Sequence, residues 1–209
     1  MITAIIPARG GSKGLPGKNI KDINGKPLIS WSIKSALESK LIDEVYVSTE
    51  DLVIKKCALE FGAKVDDRPE HLASDTSTTI EVLKDFILRY PEIETLVVLQ
   101  PTSPVRDLDL IDTCIKKYKS GNYSNLATGF FCKIKEYGTH NNTRRQDYKG
   151  FFYDDGNVYI LDKKLAIEGI WCGTNPCKFL IDRHMNYEID DEVDFIIVES
   201  LLKKINNKK

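Results

Sequence analysis

The sequence predicts an α/β fold, Rossmann-like and three-layered, with a mostly parallel sheet, and three observations carry that prediction. Short β-branched runs alternate with helical-period segments from Ile2 to Phe131, the pattern of βαβ crossovers with helices on both sheet faces. The first of these runs passes straight into a basic, glycine-rich loop, Arg9 to Lys18. A length of 209 residues suits one substantial core with a small appendage, so residues 1–209 are expected to form a single domain.

Ile2 to Ile6 is a β-branched run of the kind that fills a buried parallel strand, and Pro7 ends it because it cannot donate to a ladder. Leu28 to Ala36 carries Leu28, Trp31, Ile33 and Ala36 at helical spacing after an Asn24-Gly25-Lys26-Pro27 turn. Glu44 to Thr49 reads as a strand, Asp51 to Phe61 as a helix stopped by Gly62, and Ala63 to Val65 as a short strand. Thr79 to Arg89 is a helix whose start is marked by Asp75 to Thr78, with Asp75 read as a cap. Thr95 to Leu99 is an apolar strand, Asp107 to Lys119 an amphipathic helix, and Leu126 to Phe131 another strand.

The rhythm breaks at about residues 133–155, which are rich in Asn, Arg, Lys and Gly and read as an excursion from the sheet. Val158 to Leu161 resumes a strand, Lys163 to Glu168 is a short helix, Lys178 to Ile181 a strand, and Glu192 to Ile205 a closing helix. The tail from Asn206 to Lys209 is expected to fray.

The loop after the first strand has the makings of a phosphate cradle. Gly10, Gly11, Gly14 and Gly17 let backbone amides turn toward an anion, while Arg9, Lys13 and Lys18 supply positive charge at a strand's carboxyl end, where open α/β sheets bind ligands. It is neither Gly-x-x-x-x-Gly-Lys-Ser/Thr nor Gly-x-Gly-x-x-Gly. In isolation such a stretch is only a solvated turn; three cations at one strand end favour the cradle.

Thirty basic and thirty-one acidic residues leave a formal net charge of -1, which gives no global field for nucleic acid or an anionic membrane, so anion binding must be local. The five cysteines are spread without Cys-x-x-Cys spacing and read as reduced thiols, mostly in the core. The opening residues have no signal-peptide pattern and no apolar run approaches a membrane span, so a cytoplasmic location is expected.

Several segments, in order, resemble the acylneuraminate cytidylyltransferases, also called CMP-sialic acid synthetases. They are Ile6 to Asn19, Val47 to Asp51, Arg68 to Thr76, Leu99 to Arg106, Arg145 to Asp147, and Glu188 to Phe195. The resemblance implies transfer of a cytidylyl group from CTP to the anomeric hydroxyl of a nine-carbon 2-keto-3-deoxy acid sugar, N-acetylneuraminate or a related acid such as legionaminate. It also implies release of pyrophosphate, a need for Mg²⁺, and a homodimer to which the excursion contributes, along with part of the acceptor site.

Carried over residue by residue, the resemblance makes Arg9, Lys18 and Asp190 catalytic, and assigns nucleotide binding to Ala8, Arg9, Gly10, Gly11, Ser12, Lys13, Lys18, Asn19, Arg68 and Thr79. Asn19 and Arg68 would read cytosine, which one amide and one guanidinium can complement. Gln100, Ser103, Arg145 and Tyr159 would bind the sugar, with Arg145 on its carboxylate. Asp190 and Glu188, alternating about Ile189, would seat the metal. Standing alone, Arg68 reads as a salt-bridged turn residue and Arg106 equally as a surface arginine or part of the sugar wall. Trp171 completes a neighbour's pocket or fills the core.

Three departures concern the acceptor. Glu188 stands where the family usually has Asp, Asp155-Gly156-Asn157 replaces Asn-Gly-Ala, and the excursion is short. They leave open a different acid sugar, such as pseudaminate. Other acceptors are 3-deoxy-manno-octulosonate or a sugar phosphate, and a non-catalytic nucleotide-binding module is the competing class.

Overall fold

The computed structural model describes residues 1–206. In chain order the elements are β1 (Ile2–Pro7), β2 (Asp22–Ile23), β3 (Lys26–Pro27), α1 (Leu28–Leu37), β4 (Glu44–Thr49), α2 (Leu52–Glu60), β5 (Lys64–Asp67), α3 (Thr79–Arg89), β6 (Thr95–Val98), α4 (Leu110–Ser120), β7 (Asn125–Cys132), β8 (Phe151–Asp162), α5 (Lys163–Glu168), β9 (Pro176–Leu180) and α6 (Glu192–Asn206). Single 3-10 turns occur at Lys18–Ile20, Glu70–Leu72, Arg145–Asp147 and Arg183–Met185.

One sheet of seven strands, ordered β5-β4-β1-β6-β8-β7-β9, forms the middle layer, and β2 with β3 makes a separate small hairpin. β8 runs antiparallel to both β6 and β7, whereas the remaining neighbours pair in parallel. The sheet is therefore mostly parallel, as expected. Helices cover both faces because β1 is apolar on both: Ala4 and Ile6 join the core under α1, α2, α4 and α6, while Ile5 joins the one under α3 and α5.

The structure moves several expected boundaries. Asp51 lies outside α2 and caps it, its side chain accepting from the amides of Val53 and Ile54. α3 is capped by Thr78 rather than Asp75, in a capping box with Glu81. β8 begins at Phe151, not Val158, so the polar run Asp154 to Asn157 is strand and the excursion shrinks to 133–150. Asp155 and Asn157 are buried with part of their polar atoms paired, while Asp155 Oδ2 and Asn157 Oδ1 have no hydrogen-bond partner. Asp155 accepts from the Thr128 hydroxyl and the Asn157 amide, and the Asn157 side chain donates to the carbonyls of Val105 and Met185.

Four of the five cysteines are buried and all are free; Cys172 is exposed. Trp171 packs edge-on against Tyr159 with ring centroids 4.8 Å apart, which gives it a place within this chain's own core.

Candidate active site

The carboxyl ends of β1, β4 and β6 converge on one edge of the sheet, and there a cleft of about 460 Å³ opens. The loop after β1 supplies Arg9, Ser12, Lys13, Gly14, Lys18 and Asn19 to its wall. Arg68 enters after β5, Ser74, Ser77, Thr78 and Thr79 from the approach to and start of α3, Gln100 to Thr102 after β6, and Asp190 from the segment before α6. Residues from these five separate stretches thus share one site, at the edge where such sheets bind ligands.

Within the loop, two glycines have contacts of their own inside the protein. The Gly10 amide donates to Glu50 Oε1 at 2.7 Å, so in this arrangement it is turned toward a carboxylate and away from the cleft. A Cβ at Gly14 would collide with the Asp190 carbonyl oxygen. The loop and the metal-candidate segment therefore touch backbone to backbone, and only glycine permits that approach.

All three loop cations are engaged by the protein. Arg9 Nη1 lies 2.8 Å from Asp75 Oδ1, and Lys13 Nζ lies 2.8 Å from Asp75 Oδ2. Lys18 Nζ donates to the Ile189 carbonyl oxygen and sits 3.9 Å from Asp190 Oδ1, with its side chain 12% exposed. The two cations hold Asp75 below the ordinary carboxylate range, with Lys13 the larger influence.

Asn19 is buried at the cleft, where its Nδ2 donates to the Arg9 carbonyl oxygen and leaves Oδ1 as its remaining polar atom. Arg68 is also buried and is not a salt-bridged turn residue. It donates through Nη2 to the Ser48 carbonyl at 2.7 Å and through Nε to the Ser48 hydroxyl at 3.3 Å. Burial lowers its pKa, and the nearby Glu50 and Asp66 charges oppose that. A guanidinium in such a setting stays charged and keeps donors for a ligand.

The acceptor side is assembled differently from expectation. Gln100 lines the cleft and accepts from the Thr102 hydroxyl at 3.2 Å. Ser103 is buried and donates to the Asp155 carbonyl oxygen, so it holds β8 in place and does not line the cleft. Tyr159 is buried outside the cleft lining, and its hydroxyl donates to Asp154 Oδ2 at 2.8 Å. Arg145 stands exposed on the excursion and does not line the cleft. Ala8, Gly10 and Gly11 also fall outside the lining, although they carry the backbone between Pro7 and Ser12.

Arg106 fits neither of its two sequence readings, because it is buried behind the site. It donates to the Asn157 carbonyl through Nε and Nη2, to the Gln100 carbonyl and to the Ser32 hydroxyl. Burial pushes its pKa down to about 9, which leaves it cationic at pH 7. The guanidinium thereby ties the strand end carrying Gln100 to β8.

Glu188 Oε1 accepts from the Thr102 hydroxyl at 3.0 Å, and a Cβ on Gly156 would crowd Gln100, Ser103 and Glu188 together. Burial raises the Glu188 pKa, and the Asp190 and Asp155 charges push the same way. Among the described residues no cluster of three or more His, Cys, Asp and Glu could hold a metal ion. The Glu188 and Asp190 pair therefore fits a hard cation only if phosphate and water complete its coordination.

Comparison with known proteins gives the family. A family profile described as cytidylyltransferase matches residues 3–166. N-acylneuraminate cytidylyltransferase A of Danio rerio is 30% identical over 95% of this chain and 50% of its own length. This chain therefore spans about half the length of that curated relative. The post-translational flagellin modification protein B of Campylobacter coli is 32% identical, over 98% of this chain and 96% of its own. Among solved structures, a CMP:2-keto-3-deoxy-manno-octonic acid synthetase complexed with CTP superposes with a TM-score of 0.76 at 17% identity, over 98% of this chain and 99% of the other. The last supports the fold, and the profile and the two relatives support descent: this chain belongs to the cytidylyltransferase family.

Proposed function

We propose that this chain transfers CMP from CTP to the anomeric hydroxyl of a nine-carbon 2-keto-3-deoxy acid sugar and releases pyrophosphate. The observation that carries the reading is the convergence of Arg9, Lys13 and Lys18 with Asn19, Arg68 and Thr79 on one cleft that Gln100 and Asp190 also line. Three cations within reach of one another suit a triphosphate, and buried Asn19 and Arg68 suit a base with one amine donor and several acceptors.

In this reading Arg9 and Lys13 grip the β- and γ-phosphates, and Lys18 faces the α-phosphate, where charge develops as the pyrophosphate bond breaks. Gln100 orients a sugar hydroxyl. Asp190 and Glu188 would hold Mg²⁺, which when bound neutralises triphosphate charge. Arg145 would have to approach the sugar from the excursion. In one chain it lies outside the cleft lining, so the acceptor carboxylate contact is assigned to the assembled homodimer.

The excursion and the strands that carry it present exposed apolar side chains: Phe131, Ile134, Tyr137, Phe151 and Tyr153. Such a concentration on one projection suits a protein interface. Among the described residues, no helix is long and apolar enough to cross a membrane.

The decisive experiment measures pyrophosphate release with each of the four nucleoside triphosphates against a panel of acid sugars, with Mg²⁺ and after chelation. Release confined to CTP, dependent on a nine-carbon acid sugar and abolished by chelation, is expected. CTP binding without turnover on any sugar would instead favour a non-catalytic nucleotide-binding module.

A further inference from the structure

Asp75 lies in the segment that brings Ser74, Ser77, Thr78 and Thr79 to the cleft, and nothing in that segment needs its charge. Thr78 caps α3 without it. Neighbouring hydroxyls organise the segment themselves: Ser74 bonds Thr76 at 3.1 Å and Ser77 at 2.7 Å, while Ser77 donates to the His71 carbonyl oxygen. The Asp75 carboxylate reaches out of this network and divides its two oxygens between Arg9 and Lys13, each at 2.8 Å. Arg9 also donates to the Ser74 carbonyl oxygen at 3.0 Å.

Both cations belong to the cleft wall, and Asp75 is 66 residues from Arg9 in sequence, so the contact is a tertiary one across the site. Charge and geometry coincide: a divided anion sits on the two groups that a polyphosphate would need. From this we infer that Asp75 is an internal stand-in for the polyphosphate. It holds Arg9 and Lys13 in place, yields them to the incoming ligand, and reclaims them as pyrophosphate departs. The inference rests on the reading of the cleft as a triphosphate site, and it adds a residue that sets donor affinity and product release without touching the reacting atoms.

A placeholder and a brace make opposite predictions. Removing a competing anion tightens polyphosphate binding, whereas removing a brace loosens it. Exposed ion pairs are individually weak, so the gain from releasing two of them is about three- to tenfold in affinity.

The test titrates the full chain with metal-free inorganic tripolyphosphate by calorimetry, for wild type, Asp75→Asn and, as a second replacement, Asp75→Ser. Glu70→Gln serves as a control, since it removes an equal charge from the nearby exposed 3-10 turn. Tighter binding by both Asp75 variants, with Glu70→Gln like wild type, is the expected result. Unchanged or weaker binding by the Asp75 variants overturns the inference, as does an equal gain in Glu70→Gln, which would make the effect a general field. Absence of tripolyphosphate binding in all four proteins overturns it too. The titration needs neither cytidine nor sugar, so its outcome is separate from that of the pyrophosphate-release assay.

Discussion

The Gly10 amide donates to the Glu50 carboxylate at 2.7 Å, joining the glycine loop after β1 to the end of β4. The second carboxylate oxygen of Glu50 is buried with no hydrogen-bond partner, and its charge favours the cationic form of Arg68. One side chain therefore supports both the glycine loop and Arg68, the two groups to which the proposed function assigns the phosphates and the base. Glu50→Ala should raise the CTP KM by about tenfold, the scale of a lost hydrogen bond to a charged group, with a smaller change in kcat. Glu50→Gln keeps an acceptor for Gly10 and should recover part of the loss. Steady-state kinetics on the three proteins checks this, and an unchanged KM in Glu50→Ala would remove Glu50 from the site.

Gly14 and Gly17 look alike in sequence and differ in surroundings. Gly14 abuts the Asp190 carbonyl, whereas Gly17 has open space around it and needs only its left-handed backbone, φ +65°. Gly14→Ala must push the loop off the Asp190 segment, and a displacement approaching an ångström costs about 10²-fold in kcat/KM. Gly17→Asn should stay near wild type, because asparagine tolerates that backbone region. Equal damage from the two substitutions, measured as kcat/KM for CTP, would contradict the packing argument.

How much of this could be read without coordinates follows from where each contact lies. Arg9, Ser12, Lys13, Lys18 and Asn19 share one short loop after a strand, so period and composition point to them together. Gln100 and Arg68 follow strand ends, and resemblance to a family gave them roles. Asp75 and Glu50 escaped because their partners lie 66 and 40 residues away, and a cap accounted for Asp75 locally. The Thr78-x-x-Glu81 spacing was the available signal that another residue capped that helix. The start of β8 was missed for a related reason. Asp154 to Asn157 has the composition of a turn, and only tertiary partners such as Thr128 and Val105 make it strand. The place of Arg106 is not legible because arginine is rarely buried; its partners are two backbone carbonyls, which leave no trace in sequence, and the hydroxyl of Ser32, 74 residues away.

In the proposed reaction, Lys18 offers a way to separate catalysis from folding. Its ammonium donates to the Ile189 carbonyl and stands 3.9 Å from Asp190, so its loss touches one partly buried hydrogen bond, worth about 1 kcal/mol. Loss of a positioned charge at a developing anion costs about 10²–10³ in turnover. Lys18→Ala should therefore keep its circular dichroism spectrum and nearly its melting temperature while kcat falls by that factor. Turnover near wild type in a folded Lys18→Ala protein would show that the α-phosphate charge is met elsewhere.

Asp155 offers a pH test of the buried polar strand. Burial raises its carboxyl pKa, while hydrogen bonds from the Thr128 hydroxyl and the Asn157 amide, and the Arg106 charge, pull it partly back. A carboxyl whose folded pKa exceeds its unfolded value binds its proton more readily in the folded chain. Its contribution is thus most favourable below the unfolded carboxylate pKa and is lost as pH rises through the folded one. Asp155→Asn has no such titration and retains an acceptor for Thr128 and Asn157. The melting temperature of Asp155→Asn minus that of wild type should become more positive as pH rises from about 4 to about 7, across and above the ordinary carboxylate range. A difference that is flat with pH would mean the Asp155 pKa is the same folded and unfolded. One that becomes more negative would mean that Arg106 stabilises the charged form by more than burial disfavours it.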